Sequence, residues 1–457
     1  MNAGLPRVSV AEALAARIAA LDAGKLPAAV RGKCEDLLVD VAGLCVTARN
    51  EDYVKSALGG CDDDGPCTAI GHARTLSATG AAFVNGTAAH GEDFDDTFEG
   101  GPVHAGAVIV PAVLAACERQ KRDGKAALIG IAVGCEVMCR LSTVVPKAVH
   151  KAGFHPTAIF GVMGAAAGVG ATLGLDAKQI VDAVGIAGSM AGGIIEYLTD
   201  GAWTKRLHPG WAAQSGYRAA LLARAGFFGP RTVFEGPHGL FYGFAHKPDG
   251  DYAALLDGFG QQWVTETLAF KPYPCGTMAH PYIDCARRLA ARGIKANDIK
   301  EMLCEVGEGT VHRLWEPLAL KQRPPNGYAA KFSTPFIVAS GFIRGGVGLD
   351  AFTEEAVRDR DVLALAARVR YVIDPNNPYP KAFTGHIRAT LNDGRVVEAR
   401  QPHFRGGAKE PLTQADIVEK FALNARHGGW DEARANAALK ILTKLYDSSV
   451  DLTSLRG

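Results

Sequence analysis

The sequence lacks an excess of charge of either sign. Its 457 residues include 49 Lys and Arg against 48 Asp and Glu, which gives a formal net charge of +1. Proteins that bind nucleic acid usually carry a basic excess or a basic stripe, so the even balance argues against a nucleic-acid partner. Any cationic cluster in such a chain must be local, and a local cluster suits a small anionic ligand.

Closely paired cysteines are also missing. The ten cysteines are spread along the chain, and the nearest two, Cys135 and Cys139, lie in an apolar stretch. A zinc site or an iron–sulfur cluster needs three or four ligands that converge. A disulfide framework is unusual in a chain of this length without an evident signal peptide. We therefore predict reduced, mostly buried thiols in a cytoplasmic protein.

Long uncharged runs are few. One of them, residues 158–175, reaches eighteen residues, which is the lower limit for a membrane-spanning helix, but five of these residues are glycines. Small residues let helix backbones approach closely. The run therefore predicts a buried central helix and no contact with a membrane.

Most of the remaining sequence predicts helices rich in alanine and glycine. Ser9 can cap a helix that begins at Val10, and helical periodicity recurs to about residue 225. Further helices are predicted at 281–292, 333–343 and 354–367, and Thr413 can cap another from Gln414. Within the helical first part, the last predicted helix runs from Trp211 to Ala225.

Strand patterns begin only after residue 268. The segments 300–307 and 369–373 read as strands, and Asn392-Asp-Gly394 between two apolar runs predicts a hairpin. The sequence therefore predicts a mainly α fold. Its parts are a large all-helical domain (1–268), a smaller α+β domain (269–402) and C-terminal helices (403–457) that complete the helical domain.

An acid-rich run, His90-Gly-Glu-Asp93-Phe-Asp-Asp-Thr97, is the first candidate for chemistry. In helical geometry His90, Asp93 and Thr97 share one face. Carboxylates this close repel one another, so some must be paired with cations or have shifted pKa values. The alternative is a set of acids that complement a helix dipole or face solvent. Phe94 and Phe98 favour burial instead.

Histidines follow the acid run at two places. His104 comes after a Gly-Gly-Pro loop, close in sequence to the acids. His155 and Thr157 flank Pro156 at the start of the glycine-rich helix, where backbone donors and the helix dipole favour an anion. A simple capping role for Thr157 is an equal alternative.

Cations are concentrated in two later segments. Lys205, Arg206 and His208 place three potential cations within four residues, and Arg206 can hold a carboxylate through two hydrogen bonds. Lys271, in Lys-Pro-Tyr-Pro-Cys, and His280 lie at the predicted domain boundary. Clefts between domains commonly bind ligands.

The sequence has no phosphate loop, dinucleotide fingerprint, nucleophile elbow or zinc signature. Carboxylates, imidazoles and ammonium groups are sufficient for proton transfer next to a carboxylate. Removal of an α-proton needs a placed base and cations that stabilise the enediolate-like charge. A general acid can then expel a β-hydroxyl group or return a proton to the opposite face.

In their order along the chain these motifs resemble the MmgE/PrpD superfamily, which includes 2-methylcitrate dehydratase, cis-aconitate decarboxylase and iminodisuccinate epimerase. The resemblance implies a large helical domain with an inserted α+β lid domain, a homodimer, and no required metal or organic cofactor. It rests on these segments: Asn85-Gly-Thr-Ala-Ala-His90, Asp93-Phe-Asp-Asp-Thr97, Gly153-Phe-His-Pro-Thr157, Lys205-Arg-Leu-His-Pro-Gly-Trp211, Phe234-Glu-Gly236 and Lys271-Pro-Tyr-Pro-Cys275.

The resemblance also implies an active site, carried over residue by residue. Its members are Asp93, Thr97, His104, His155, Lys205, Lys271 and His280, to which the charge pattern adds Arg206 as a substrate-binding residue. Three segments depart from the family pattern: His104-Ala-Gly106, Gly276-Thr-Met278-Ala before His280, and Phe336, where tyrosine is common. Loss of polar groups from a substrate pocket changes specificity more than fold, so Phe336 is included as a position that affects substrate choice.

We therefore predict a cofactor-independent lyase that dehydrates or decarboxylates a small di- or tricarboxylate resembling 2-methylcitrate or aconitate. Asp93 and His104 would transfer protons, and His155, Lys205 and Lys271 would hold carboxylates. An epimerase or isomerase of an amino- or imino-dicarboxylate is the nearest alternative. A magnesium-dependent prenyl-type enzyme and a polycarboxylate-binding protein without catalysis are the remaining ones.

Overall fold

The computed structural model describes residues 8–457, except for the side chain of Asp200. These residues divide into two compact units, one of residues 8–268 with 413–457 and the other of residues 269–412. Helices dominate, and the strands form one two-stranded and one four-stranded sheet. The prediction of a mainly α fold is confirmed, while the action of the second unit as a lid remains a prediction.

The first unit is built mainly from helices. Their bounds are α1 Val10–Ala19, α2 Ala28–Ala48, α3 Asp52–Gly59, α4 Ala78–His90, α5 Gly106–Gln120, α6 Gly124–Val144, α7 Ala148–Lys151, α8 Pro156–Leu173, α9 Ala177–Met190, α10 Tyr197–Asp200, α11 Thr204–Arg224, α12 Leu240–Ala245, α13 Tyr252–Leu256, α20 Gln414–His427 and α21 Glu432–Leu442. It also contains a small antiparallel sheet of β1 (Asp64–Thr68) and β2 (Thr75–Leu76). The prediction that this part is all helical is therefore wrong in that detail.

Glycines allow the central helices α6 and α8 to pack closely. A Cβ atom on Gly164 of α8 would lie 2.7 Å from the Gly134 carbonyl oxygen of α6, and one on Gly168 would lie 2.6 Å from that of Gly130. The two helices thus touch backbone to backbone, which only glycine permits. Both are long and apolar enough to cross a membrane, but 94% and 89% of their most apolar windows are buried inside the protein. The prediction of a buried central helix is confirmed.

Local capping signals fix several helix ends. Ser9 and Glu12 form a capping box at the start of α1, and Thr413 and Asp416 form another at the start of α20. Both starts are where the sequence predicts them. By contrast, α11 begins at Thr204, seven residues before the predicted start, because the helix accommodates a proline in its second turn.

The second unit contains a four-stranded sheet in the order β4-β3-β5-β6, where only the β3–β4 pair is parallel. The strands are β3 Ile299–Val306, β4 Val369–Ile373, β5 Gly385–Leu391 and β6 Val396–Gln401, and the helices are α14 His280–Ala290, α15 Val311–Leu314, α16 Leu318–Gln322, α17 Gly327–Ala330, α18 Thr334–Arg344 and α19 Arg360–Ala366. The predicted hairpin is confirmed as β5–β6, and Gly394 supplies the positive φ (87°) of its turn. Helix α19 begins at Arg360 instead of the predicted 354, because the Asp359 carboxylate caps it by accepting the amides of Asp361 and Val362.

Buried side chains form an apolar core in this unit around Trp315, Phe336 and Ile337. Nine of the chain's ten cysteines are buried, as the sequence predicts. Burial raises the pKa of thiols such as Cys34 and Cys45, so these behave as small apolar side chains.

Candidate active site

The acid-rich run does not form a helix. Helix α4 ends at His90, and the chain continues as a loop in which Asp93 has a positive φ of 54°. The prediction that His90, Asp93 and Thr97 share a helix face is therefore wrong. Gly91 permits the change of direction: a Cβ atom there would lie 2.0 Å from the Tyr53 hydroxyl oxygen. Aspartate tolerates the left-handed region because its side chain can form local hydrogen bonds.

Asp96 holds the beginning of the next helix. Its carboxylate oxygens accept the backbone amides of Ala105 and Gly106 at 3.0 and 2.9 Å, at the start of α5. Burial, followed by the charge of Asp95, raises the pKa of Asp96 to about 7 although both amides oppose the shift. A Cβ atom on Gly106 would lie 2.4 Å from the carboxylate. The His104-Ala-Gly106 segment thus fits the capping geometry of this chain.

Glu92 has a structural partner away from the histidines. It accepts a hydrogen bond of 3.0 Å from the Tyr53 hydroxyl group, and the Arg206 guanidinium lies 4.3 Å from the centre of the same ring. Glu92, Tyr53 and Arg206 therefore form one group between α3, the loop and α11. A substrate-binding role for Arg206 stays a prediction.

Asp95 is fully buried and faces two imidazoles. Its Oδ2 atom lies 2.7 Å from Nδ1 of His90 and 3.5 Å from Nδ1 of His104. Nδ1 of His104 also lies 2.7 Å from the Asp96 carbonyl oxygen. Because a carbonyl oxygen only accepts, this nitrogen carries a proton. The other nitrogen, Nε2 of His104, is then the one available for proton transfer.

Asp93 binds a cation from a distant part of the sequence. The Lys205 ammonium group, in the first turn of α11, donates a hydrogen bond to Oδ1 of Asp93. Their side chains are 13% and 5% exposed, so solvent screens the pair only weakly. The structure thus brings two of the predicted site residues together in a largely buried ion pair.

His155 is the residue just before α8, as the sequence predicts, and it faces His208 of α11. Their Nδ1 atoms are 3.1 Å apart, so one ring donates the hydrogen bond and the other accepts it. Burial, reinforced by the Lys205 ammonium group and by the closeness of other imidazoles that would repel a second positive charge, holds the pKa of His155 well below its ordinary value. Burial likewise lowers the pKa of His208 to about 4. Both rings are therefore neutral at physiological pH.

The four imidazoles form a continuous row, which we call the histidine cluster: His104, His90, His155 and His208. Successive ring centres are 4.8, 5.8 and 5.3 Å apart. The Tyr197 ring lies 6.1 Å from that of His155 and 5.8 Å from that of His208.

The two threonines have different surroundings from those expected. Thr157 does not cap α8, because His155 occupies the N-cap position. The His155 side chain forms no capping hydrogen bond. The Thr157 hydroxyl group is fully buried and has no hydrogen-bond partner among the described residues. Thr97 is buried near the end of the acid loop, and its substrate contact stays a prediction.

Three predicted site residues belong to the second unit. Lys271 is almost completely buried. The backbone just before it is held by a hydrogen bond from the Phe270 amide to the Gly406 carbonyl oxygen. Nε2 of His280 lies 3.1 Å from the Cys275 carbonyl oxygen. Phe336 is 1% exposed in the apolar core. Their roles in substrate binding stay predictions.

His90, Asp95 and His104 each place one potential metal-binding atom within 4.8 Å of the others. Hydrogen bonds already occupy both Nδ1 atoms: that of His90 binds Asp95, and that of His104 binds the Asp96 carbonyl group. A metal bound at these Nδ1 atoms would have to displace their protons. The arrangement is that of a hydrogen-bonded network, and we assign no metal to it.

Asp95, His90 and His208 lie in motifs that the sequence singled out, but sequence reasoning did not assign them to the active site. His208 could have been assigned to it, since it lies three residues after Lys205 on one helix and such residues share a face. Asp95 carried no comparable signal, because the loop rather than a regular period decides which acid faces the histidines.

The site as a whole combines a buried carboxylate between two imidazoles, a carboxylate–ammonium pair and two neutral imidazoles. These groups can donate a proton, accept a proton and neutralise substrate carboxylates. They define a site for general acid–base chemistry on an anionic substrate.

Two family descriptions match the chain: the MmgE/PrpD N-terminal domain over residues 12–253 and the MmgE/PrpD C-terminal domain over residues 273–444. The chain therefore belongs to the MmgE/PrpD family, and the resemblance seen in the sequence is confirmed. Human cis-aconitate decarboxylase is 31% identical over 403 residues, which cover 84% of this chain and 80% of the human protein.

Fungal relatives are similar over slightly more of the chain. The cis-aconitate decarboxylase of Aspergillus terreus is 26% identical over 461 residues, 94% of this chain and 91% of that protein. The cis-aconitate decarboxylase-like protein oryM of Aspergillus oryzae is 27% identical over 442 residues, 91% of this chain and 90% of that protein. Decarboxylases of this kind are lyases, so the relatives support a function of the lyase type.

Proposed function

We propose that this protein is a cofactor-independent lyase that decarboxylates a small unsaturated tricarboxylate such as cis-aconitate. The observation that carries the proposal is the contrast between two histidines. His104 lies 3.5 Å from the buried Asp95 carboxylate, which favours a protonated ring. His155 is kept neutral by burial and by neighbouring positive charge. One imidazole is thus suited to donate a proton and the other to bind an anion without ionising.

Decarboxylation needs a proton but no base. The bond between carbon and one carboxylate group breaks, carbon dioxide leaves, and the electron pair stays on the carbon. Nε2 of His104 then gives its proton to that carbon, and solvent restores the proton. The His104 side chain is 15% exposed, which permits this exchange. Each turnover consumes one proton and releases one molecule of carbon dioxide.

Positive groups would hold the substrate and stabilise the charge that develops on it. In this proposal Lys205 binds a carboxylate while remaining fixed by Asp93. Neutral His155 accepts a hydrogen bond at Nδ1 from Nδ1 of His208 and donates one to the substrate from Nε2. Lys271, His280, Thr97 and Arg206 are proposed to bind the remaining carboxylates. Fixed charges in a dry site stabilise charge at the reacting carbon better than water does.

We also propose that the protein is a cytoplasmic homodimer. Three large apolar residues lie on one side of α11 at intervals of four residues: Trp203, just before the helix, and Leu207 and Trp211 within it. They are 49%, 36% and 47% exposed. Large apolar side chains exposed in a row are typical of interfaces. Sedimentation velocity should give twice the monomer mass, and Trp211→Glu should give the monomer.

The proposed reaction is tested with a panel of substrates followed by NMR: cis-aconitate, citrate, 2-methylcitrate and iminodisuccinate. We expect one carbon dioxide per molecule of cis-aconitate consumed and no turnover of the other three. Asp93→Asn and His104→Ala should abolish turnover with the fold intact. Glu92→Gln is the matched control, because this carboxylate binds the Tyr53 hydroxyl group instead of the histidines, and it should retain turnover.

Two results would overturn the proposal in favour of named alternatives. Loss of water from citrate or 2-methylcitrate without carbon dioxide would identify a hydro-lyase. Solvent deuterium incorporated into iminodisuccinate without net consumption would identify an epimerase that uses the same acid–base groups.

A further inference from the structure

The proposed reaction uses Asp95 only through its contact with His104 and gives no role to His90, the closer partner of Asp95. Both side chains are 0% exposed, and Nδ1 of His90 lies 2.7 Å from Oδ2 of Asp95. A fully buried carboxylate is costly unless hydrogen bonds compensate its charge. His90 therefore donates from Nδ1, and in its neutral form the Nε2 atom carries the lone pair.

The remaining nitrogen of His90 is unusual. Nε2 of His90 is buried and has no hydrogen-bond partner among the described residues. Its ring lies between those of His104 and His155, at 4.8 and 5.8 Å. A buried polar atom without a partner costs about 1–3 kcal/mol, so a chain that only needed to fill this space would be more stable with an apolar side chain.

One carboxylate oxygen thus serves two imidazoles. Oδ2 of Asp95 forms the short contact with His90 at 2.7 Å and the longer one with His104 at 3.5 Å. A hydrogen bond from His90 spreads part of the carboxylate charge and leaves less of it for His104. The two rings therefore compete for the same negative charge.

We infer that His90 and Asp95 are positioning residues that set the orientation and the protonation of His104, with Asp95 attracting its proton and His90 moderating that attraction. The inference rests on the proposed function, in which His104 is the acid. The groups that face this pair are the Asp96 carbonyl group from the loop, His155 from the start of α8, and Lys205, which acts on His155 from α11. None of these three groups is a carboxylate, whereas Oδ2 of the buried Asp95 carboxylate lies 3.5 Å from Nδ1 of His104.

The inference predicts shifts of opposite sign in two variants. Asp95→Asn keeps the shape and still accepts from His90, but removes the charge, so the pKa of His104 should fall by about 1 unit or more. His90→Phe keeps a ring of similar size but removes the donor, so the same pKa should rise. Glu92→Gln, the same chemical change three residues earlier in the loop, should leave it unchanged.

NMR titration of histidine ring signals in the full-length protein measures these shifts without any turnover. A failure of the proposed decarboxylation therefore does not affect this readout. Shifts of the same sign in both variants, or none, would overturn the inference. Where cis-aconitate is turned over, kcat of Asp95→Asn should fall about 10- to 100-fold with KM within about twofold. A purely structural pair would lower the thermal midpoint and leave the His104 titration in place.

The wild-type protein offers a test that does not depend on the folding of a variant. Nitrogen-15 shifts of the histidine rings should identify the neutral form of His90 as the tautomer protonated at Nδ1. Protonation at Nε2 alone would contradict the direction of the His90–Asp95 hydrogen bond.

Discussion

Lys420 of helix α20 binds the backbone of the acid loop at Phe94 and the Asp40 carboxylate of α2. Its replacement should destabilise the whole first unit. Its ammonium nitrogen lies 2.7 Å from Oδ1 of Asp40, 2.7 Å from the Phe94 carbonyl oxygen and 4.0 Å from the centre of the Phe94 ring. The Lys420 and Asp40 side chains are 6% and 0% exposed. We consider Lys420→Met, which keeps most of the side-chain volume.

The expected loss follows from the charge that remains. Breaking a buried ion pair by removing one partner costs about 3–5 kcal/mol, because the other charge is left buried. The hydrogen bond to Phe94 and the cation–π contact belong to the same group, so their energies are not added. In the variant a buried Asp40 should have a raised pKa, and the folded state then binds more protons than the unfolded one. The loss should therefore be larger at pH 8 than at pH 5.

Denaturation by guanidinium chloride, followed by circular dichroism, measures this loss. The double variant Asp40→Leu with Lys420→Met removes both charges and should recover most of the stability. Lys440→Met, the same change at an exposed position of α21, should stay within about 0.5 kcal/mol of the wild type. A loss below about 1 kcal/mol in Lys420→Met, or a double variant as unstable as the single one, would refute the reasoning.

Three further predictions concern the site and its surroundings. Gly106→Ala should lower the free energy of unfolding by about 1–3 kcal/mol, because the new Cβ atom would lie 2.4 Å from the Asp96 carboxylate that caps α5. Calorimetry measures this loss. Gly32→Ala is the matched control, since no atom lies within 4 Å of the Cβ position there. Because burial lowers the pKa of His208 from 6.5 to about 4, its neutral ring should stabilise the fold fully above pH 6.5 and progressively less as the pH falls towards 4. The unfolded chain binds the extra proton in that range, so His208→Phe should flatten the pH dependence of the unfolding free energy. Dialysis against a metal chelator should leave turnover of cis-aconitate unchanged, since the proposed reaction uses only side-chain acids and cations.

Each of these has an outcome that contradicts it. A Gly106→Ala variant as stable as the wild type would mean that Asp96 does not need its present position. An unchanged pH profile in His208→Phe would mean that this ring does not resist protonation. Activity lost on chelation and restored by a divalent metal would place a metal in the reaction.

Local signals in the sequence predicted much of the fold. The capping residues Ser9 and Thr413 lie just before their helices, and the turn at Asn392-Asp-Gly394 joins its two strands. Such features depend on neighbours within a few residues, so the sequence contains most of the information. The start of α11 was predicted seven residues late because a proline usually interrupts a helix, whereas here it lies inside one.

The acid loop was harder to predict because distant residues stabilise it. Glu92 binds Tyr53 from α3, Asp96 binds the start of α5, and Lys420 reaches the loop from a helix more than three hundred residues later. Helical periodicity cannot anticipate such partners. The chemical types of the site residues were nevertheless informative, since the ion pair of Asp93 with Lys205 joins two segments that the sequence had singled out separately.

The most direct test of the account is the fate of the proton that His104 is proposed to donate. Carbon-13-labelled cis-aconitate should be converted in deuterated water by the wild-type protein and by His104→Ala, with both products read by NMR. The account predicts one molecule of labelled carbon dioxide and one carbon-bound deuterium per turnover in the wild type, and neither in the variant. Carbon dioxide release at the wild-type rate in His104→Ala, with deuterium on the same carbon, would contradict the role given to His104.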